Sequence, residues 1–232
     1  MLIAENYVED TNPSNYLDNV GFLQSREPRC ACILLLDTSK SMKGEPITKL
    51  NEGFKHLVNT LKDDQLAALR VELSVITFGG KVLVVEEFST VDQISCTAFV
   101  PKGNTPMGEA IEHAVALLTE RKNMYKASGL PYYRPWIFLV TDGEPTDDWQ
   151  TAATLVHEQE AGKHLLFFAV GVGHANMSVL KQISVRQPAH LNELEFADMF
   201  EWLSDSLSGV SSSDPGGAVE LKSIESWGII SS

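Results

Sequence analysis

The sequence predicts an α/β domain: a doubly wound, Rossmann-like, mostly parallel sheet with one antiparallel edge strand and helices on both faces. Three observations carry this reading. Residues 32–37 and 136–142 are apolar runs that close on Asp37 and Asp142, as central parallel strands covered on both faces do. Segments with helical periodicity alternate with such runs. Two strand-like stretches flank Gly79-Gly80, the signature of a tight antiparallel hairpin.

Residues 1–28 are polar, carry Asn12-Pro13 and Glu27-Pro28, and read as a loosely structured lead-in. The main domain is expected over 29–209. After the first strand, Ile47, Leu50, Phe54, Leu57, Val58 and Leu61 recur at helical spacing behind Pro46, which suits a first turn. Val71, Leu73, Val75 and Ile76-Thr77-Phe78 form one arm of the hairpin, and residues 82–85 the other. A second helix begins after Thr105-Pro106, with Met107, Ile111, Ala114 and Leu118 on one stripe. Asp147-Asp148-Trp149-Gln150 resembles a capping box that opens a third helix running to about Ala161. A buried strand at 165–172 follows, then a short helix near Val179 and a weak strand near His190. Phe196, Met199, Phe200, Leu203 and Leu207 share one face of the last helix. Residues 210–232 read as a Ser/Gly linker and a tail whose Trp227, Ile229 and Ile230 favour packing on the domain over serving as a docking peptide.

Charge narrows the partners. The chain has 232 residues, 31 acidic against 18 basic, for a net charge of -13. Such a field repels a duplex or an anionic membrane surface, so neither nucleic acid nor membrane is expected as a partner. No apolar run approaches the ~20 residues that span a bilayer. The start, with Glu5, Glu9 and Asp10, lacks a secretory pattern, and a cytoplasmic setting is expected. Cys30, Cys32 and Cys96 are too few for a disulfide framework and read as reduced thiols. The six histidines are scattered and show no ligand spacing.

Two strands that end in carboxylates place Asp37 and Asp142 at one edge of the sheet, where open α/β folds bind ligands. Asp37-Thr38-Ser39-Lys40-Ser41 can aim Asp37, Ser39 and Ser41 at one point, with Lys40 outward. Gly143 and Pro145 suit a tight turn after Asp142, and Thr105 adds a hydroxyl that serves the same point or caps a helix. Asp37, Ser39, Ser41, Thr105 and Asp142 thus form an all-oxygen set with a charge of about −2. Two neighbouring carboxylates repel unless a cation joins them. Oxygen donors with retained water favour Mg²⁺, with Mn²⁺ close behind and Ca²⁺ lower. Glu45, Glu144, Asp147 and Asp148 are expected around the rim.

Asp37-x-Ser39-x-Ser41, Thr105 and Asp142-Gly143 resemble the three loops of a von Willebrand factor A domain, over about residues 29–209. The resemblance implies a metal-ion-dependent adhesion site. Ser39, Ser41 and Thr105 would contact the ion, Asp37 and Asp142 would act mostly through water, and a partner protein's Glu or Asp would complete it. Lys40 departs from the family, where Gly or Glu is commoner. Residues 34–47, Thr105-Pro106-Met107-Gly108 and the Ser-rich tail are similar to the bacterial tellurium-resistance (TerY-like) branch. Membership there implies a cytoplasmic protein of a stress-response or phage-defence system, with kinase or phosphatase components as partners. The resemblance implies no enzyme. Phosphate-binding Gly-x-x-x-x-Gly-Lys and Gly-x-Ser-x-Gly motifs are absent. The rival reading is a Mg²⁺-dependent phosphohydrolase with Asp37 as nucleophile, in which a second Asp commonly stands where this chain has Ser39. A structural module with a vestigial, metal-free site is the third.

Overall fold

The computed structural model describes residues 3–5 and 26–230. Among these, strands and helices follow in the order β1 (Ile3–Glu5), β2 (Cys30–Asp37), α1 (Glu45–Asp63), α2 (Gln65–Arg70), β3 (Val71–Phe78), β4 (Val82–Thr90), α3 (Met107–Ala127) and β5 (Trp136–Thr141). They continue as α4 (Gln150–Ala161), β6 (Leu166–Gly171), α5 (Met177–Ile183), β7 (Ala189–Leu191), α6 (Phe196–Ser212), β8 (Ala218–Glu220) and β9 (Gly228–Ile230). Most of the expected lead-in, residues 6–25, lies outside the described residues.

Seven strands form one sheet in the order β4-β3-β2-β5-β6-β7-β9. The five inner strands are parallel, and β4 and β9 close the two edges antiparallel. This is the doubly wound architecture the sequence predicts. The hairpin around Gly79-Gly80 supplies the expected antiparallel edge, and the C-terminal tail adds the second. From β2 the chain winds outward through β3 to β4, then returns to β5 and winds the other way. The switch point therefore lies between β2 and β5, where a crevice opens beyond the carboxyl ends of both strands.

Every residue of β2, β3, β5 and β6 is buried, because helices cover both faces. Alternate residues of β2 serve opposite cores. Cys30, Cys32, Leu34 and Leu36 pack with Leu50, Phe54 and Leu57 of α1 and with Phe200 and Leu203 of α6. Ala31, Ile33 and Leu35 pack with Ile111, Ala114 and Leu118 of α3 and with Val156 of α4. The two buried thiols thus behave as small hydrophobes, and all three cysteines are free. No helix among the described residues is long and apolar enough to cross a membrane.

β4 runs to Thr90, well beyond the predicted residues 82–85. Its residues alternate between partly buried and more exposed because one face alone is covered, so Glu86 and Glu87 do not end it. α6 likewise continues through Ser212. Ser204, Ser206 and Ser211 donate to carbonyls three or four residues back, which lets serine persist inside the helix.

Beyond α6, β8 pairs with β1, and β9 pairs with β7. Trp227 is buried with its ring centroid 5.5 Å from that of Trp202. Trp202 Nε1 donates to the Lys222 carbonyl at 2.9 Å, and Asn192 N to the Trp227 carbonyl at 2.8 Å. Trp227 anchors the second edge strand. Trp227→Ala is therefore expected to lower stability by about 3–5 kcal/mol in urea unfolding.

Candidate metal centre

Three loops meet at the crevice, and backbone contacts hold them together. After β2, Met42 plugs the core while one 3₁₀ turn, Lys40–Met42, turns Lys40 and Ser41 outward. The Thr38 carbonyl accepts from Lys102 N at 2.8 Å, and the Gly103 carbonyl from Lys40 N at 3.1 Å. Gly80 N donates to the Asn104 carbonyl at 2.7 Å, so the hairpin turn braces the second loop as well. Gly103 and Gly80 both have positive φ, 67° and 73°. A Cβ on Gly103 would stand 2.3 Å from the Gly80 Cα, an approach that only glycine allows.

The third loop follows β5. Thr146 N donates to the Thr105 carbonyl at 2.9 Å, and Thr105 N donates to Thr146 Oγ1 at 3.1 Å. Asp147 accepts from Gly108 N at 3.1 Å and from Glu109 N at 2.8 Å. The expected capping box therefore takes another form. Asp147 caps α3, a longer helix forty residues upstream, while Asp148 accepts from Gln150 N at the start of α4. The Gly108 Cα comes so near the Asp148 carbonyl that a Cβ there would be 2.1 Å away. The α3 N-terminus is pressed directly against the third loop.

All five predicted residues converge. Asp37 Oδ1 accepts from Ser39 N at 2.7 Å, and Oδ2 accepts from Thr141 Oγ1 at 2.6 Å. Ser41 Oγ donates to Asp142 Oδ1 at 2.7 Å. Its single proton is thereby committed, so Ser39 Oγ, 2.8 Å away, is the donor to Ser41. Thr105 is buried just ahead of α3, whose first amides, Gly108 N and Glu109 N, are capped by Asp147 and not by the Thr105 hydroxyl. A methyl group built on Gly143 would lie 3.5 Å from Thr105 Oγ1 and 3.9 Å from both Asp37 Oδ2 and Ser41 Oγ. One oxygen from each of two separate loops and one strand end thus faces the same small space. Thr141 and Thr146, which orient Asp37 and Thr105, were not singled out from the sequence. A hydroxyl immediately before Asp142 at a strand end was the available signal for Thr141.

The electrostatics of Asp37 are unusual within the molecule. Among the described residues three acidic side chains are buried: Asp37, Glu72 and Glu160. Glu72 meets Arg121 at 2.6 Å and Arg29 at 3.6 Å, and Glu160 meets Arg134 at 3.1 Å and Arg186 at 3.3 Å. Asp37 has no basic side chain within ion-pair distance among the described residues. Its neighbours are hydroxyls, one amide and a second carboxylate. Burial pushes its carboxyl up to about 6; hydrogen bonds from Thr141 and Ser39 pull down, and Asp142 raises it further. Burial also raises Asp142, against the Ser41 hydrogen bond.

These donors fit a hard divalent cation. Hydroxyl and carboxylate oxygens from three loops face one space, and the buried negative charge lacks a counter-ion. Among the described residues no three His, Cys, Asp or Glu side chains cluster as metal ligands, so the hydroxyls would have to be part of the donor set. Glu144 at the rim accepts from Asn176 Nδ2 at 2.7 Å.

A model of the von Willebrand factor type A domain matches residues 32–201. The human (Homo sapiens) collagen alpha-5(VI) chain is 27% identical over 161 residues, which is 66% of this chain and 6% of the collagen chain. The protein thus corresponds to a small part of that relative. Two solved structures share the fold. Manganese-loaded TRAP protein of Plasmodium vivax aligns with a TM-score of 0.53 and 21% identity, covering 76% of this chain and 73% of that one. Proximal thread matrix protein 1 from the mussel byssus, with a zinc-occupied MIDAS motif, aligns with a TM-score of 0.53 and 16% identity over 84% of this chain and 49% of its own.

Two outcomes follow from the geometry. Asp37 is protonated more readily folded than unfolded, so its stabilising contribution is complete below about pH 4 and lost as pH rises through about 6. In chelator, Asp37→Asn is therefore expected to be more stable than the parent at pH 7 by about 1–3 kcal/mol, with the gap closing towards pH 4. Urea titrations across that range measure it. Gly143→Ala meets only ordinary contacts and should keep metal-free stability within about 1 kcal/mol. The same methyl crowds the converging oxygens, and calorimetry should find Mn²⁺ affinity reduced about tenfold or more.

Proposed function

Because this chain belongs to the von Willebrand factor type A domain family, we propose that it is a non-catalytic interaction module that holds a divalent cation and binds a carboxylate of another protein. The observation that carries this is the buried carboxylate of Asp37, which alone among the three buried acids lacks an arginine. A cation there removes the cost of the charge. Ser39, Ser41 and Thr105 are its direct donors. Asp37 and Asp142 act through water from behind, and the Asp37–Thr141 and Ser41–Asp142 bonds hold them in place. Neutral hydroxyls leave positive charge on the ion, and that charge is the attraction offered to a Glu or Asp of the partner. Mg²⁺ is the proposed ion, with Mn²⁺ next. Manganese and zinc in the two structural neighbours support a divalent ion at such a motif.

The finer placement rests on sequence. The stretch 34–47 and Thr105-Pro106-Met107-Gly108 support the tellurium-resistance branch, a cytoplasmic setting, a stress-response or phage-defence role, and kinase or phosphatase partners. The phosphohydrolase reading is disfavoured by the state of Asp37. It has no exposed surface, and both oxygens already accept hydrogen bonds, an arrangement that speaks against a nucleophile turned toward a phosphorus atom.

Calorimetry on chelator-stripped protein tests the proposal. Mg²⁺ and Mn²⁺ should each bind at a single site, and Ser41→Ala, an exposed position, should weaken binding about tenfold without lowering the melting temperature. A chelator should also abolish capture of the partner. Mg²⁺-dependent hydrolysis of p-nitrophenyl phosphate, lost in Asp37→Asn, would favour the enzyme instead.

A further inference from the structure

The surface around the crevice is divided by charge. On one flank Lys40, Lys43, Lys81 and Lys102 are all exposed, on the three turns that Gly80 N–Asn104 O, Lys40 N–Gly103 O and Lys102 N–Thr38 O bind together. None of these ammonium groups has a carboxylate within ion-pair distance among the described residues. On the opposite flank the third loop presents Glu144, Asp147 and Asp148. In a protein of net charge -13, four unpaired lysines on one side of a single crevice are a local reversal of sign.

An apolar groove of about 180 Å³ continues from the lysine flank. Thr38 and Lys102 form its end nearest the crevice, and Leu83, Val85, Phe99 and Val100 line it. Leu83, Val85 and Val100 are 40%, 44% and 70% exposed, three of the seven large apolar side chains that stand open to solvent among the described residues. Glu86, the one acid in the groove, is held by the Ser95 hydroxyl. The wall is fixed in advance, since Asn51 of α1 donates to the Phe99 carbonyl at 3.1 Å and accepts from Phe99 N at 2.7 Å. Small-molecule pockets usually run ~300–1,000 Å³, so this groove suits one side chain.

Building on the carboxylate-binding reading above, we propose that the partner contributes an extended acidic segment. One Glu or Asp reaches the cation, neighbouring acids lie along the lysine flank, and a Leu-, Ile- or Phe-type side chain fills the groove beside Leu83 and Val100. The acidic third loop repels the same segment and so fixes its direction across the crevice.

Fluorescence anisotropy with three labelled hexapeptides tests this. All carry one central Glu; the first adds Asp, Glu and Leu around it, the second glycines, and the third lysines. In Mg²⁺ the first should bind about tenfold or more tighter than the second, and the third more weakly still, with the differences shrinking as salt rises. Lys40→Glu with Lys102→Glu, both on the surface, should erase the preference for the first while the glycine peptide still binds. Leu83→Ser with Val100→Ser should remove the advantage of leucine, about fivefold, at an unchanged melting temperature. Equal binding of all three peptides in Mg²⁺ would overturn the acidic segment and leave the metal-dependent module standing. Binding of the first peptide that persists in chelator would do the same, as plain charge attraction. Absence of Mg²⁺-dependent binding by every peptide would sink both.

Discussion

The structure turns on a carboxylate with no exposed surface and no internal counter-ion. Asp37 ends a strand that is buried on both faces, so its charge arrives at the sheet edge already stripped of water. Hydrogen bonds from Ser39 and Thr141 soften the cost without cancelling it, and Asp142 adds to it. The surrounding loops make sense as a response. Each is pinned to its neighbours by backbone contacts at Gly80, Gly103 and Gly108, where any side chain would separate them. A donor set held at such close quarters loses little further freedom when an ion is bound.

The two ends of the sheet divide the labour. At the amino ends of the strands, Glu72 is neutralised by Arg29 and Arg121 and bound by Tyr125. Glu160 is similarly closed by Arg134 and Arg186. At the carboxyl ends, beyond β2 and β5, the equivalent charge is left open. Buried charge is paired at one end, and the proposed metal site lies at the other, where the strand order switches.

Much of this was legible in the residues. The unbroken apolar runs before Asp37 and Asp142 identified the central strands, because only burial on both faces tolerates such runs. The Asp37-x-Ser39-x-Ser41 spacing, with Thr105 and Asp142 at other element ends, named the residues that the fold brings together. Long-range contacts were less legible. Asp147 reads locally as a cap for the helix that follows it, yet it caps α3, since only the folded chain sets Gly108 beside it. Ser211 and Ser212, the last residues of α6, look like linker until the Ser211 hydroxyl is seen bonding back to the Ser208 carbonyl. The lysine flank is scattered over residues 40–102 and has no sequence signature at all.

Crystals grown in Mn²⁺ and measured at the manganese absorption edge bear most directly on the central claim. A single anomalous peak should stand within about 2.0–2.3 Å of the Ser39, Ser41 and Thr105 hydroxyl oxygens, with water between it and the two carboxylates. A crevice without that peak at saturating Mn²⁺, or a peak elsewhere on the surface, would contradict the account.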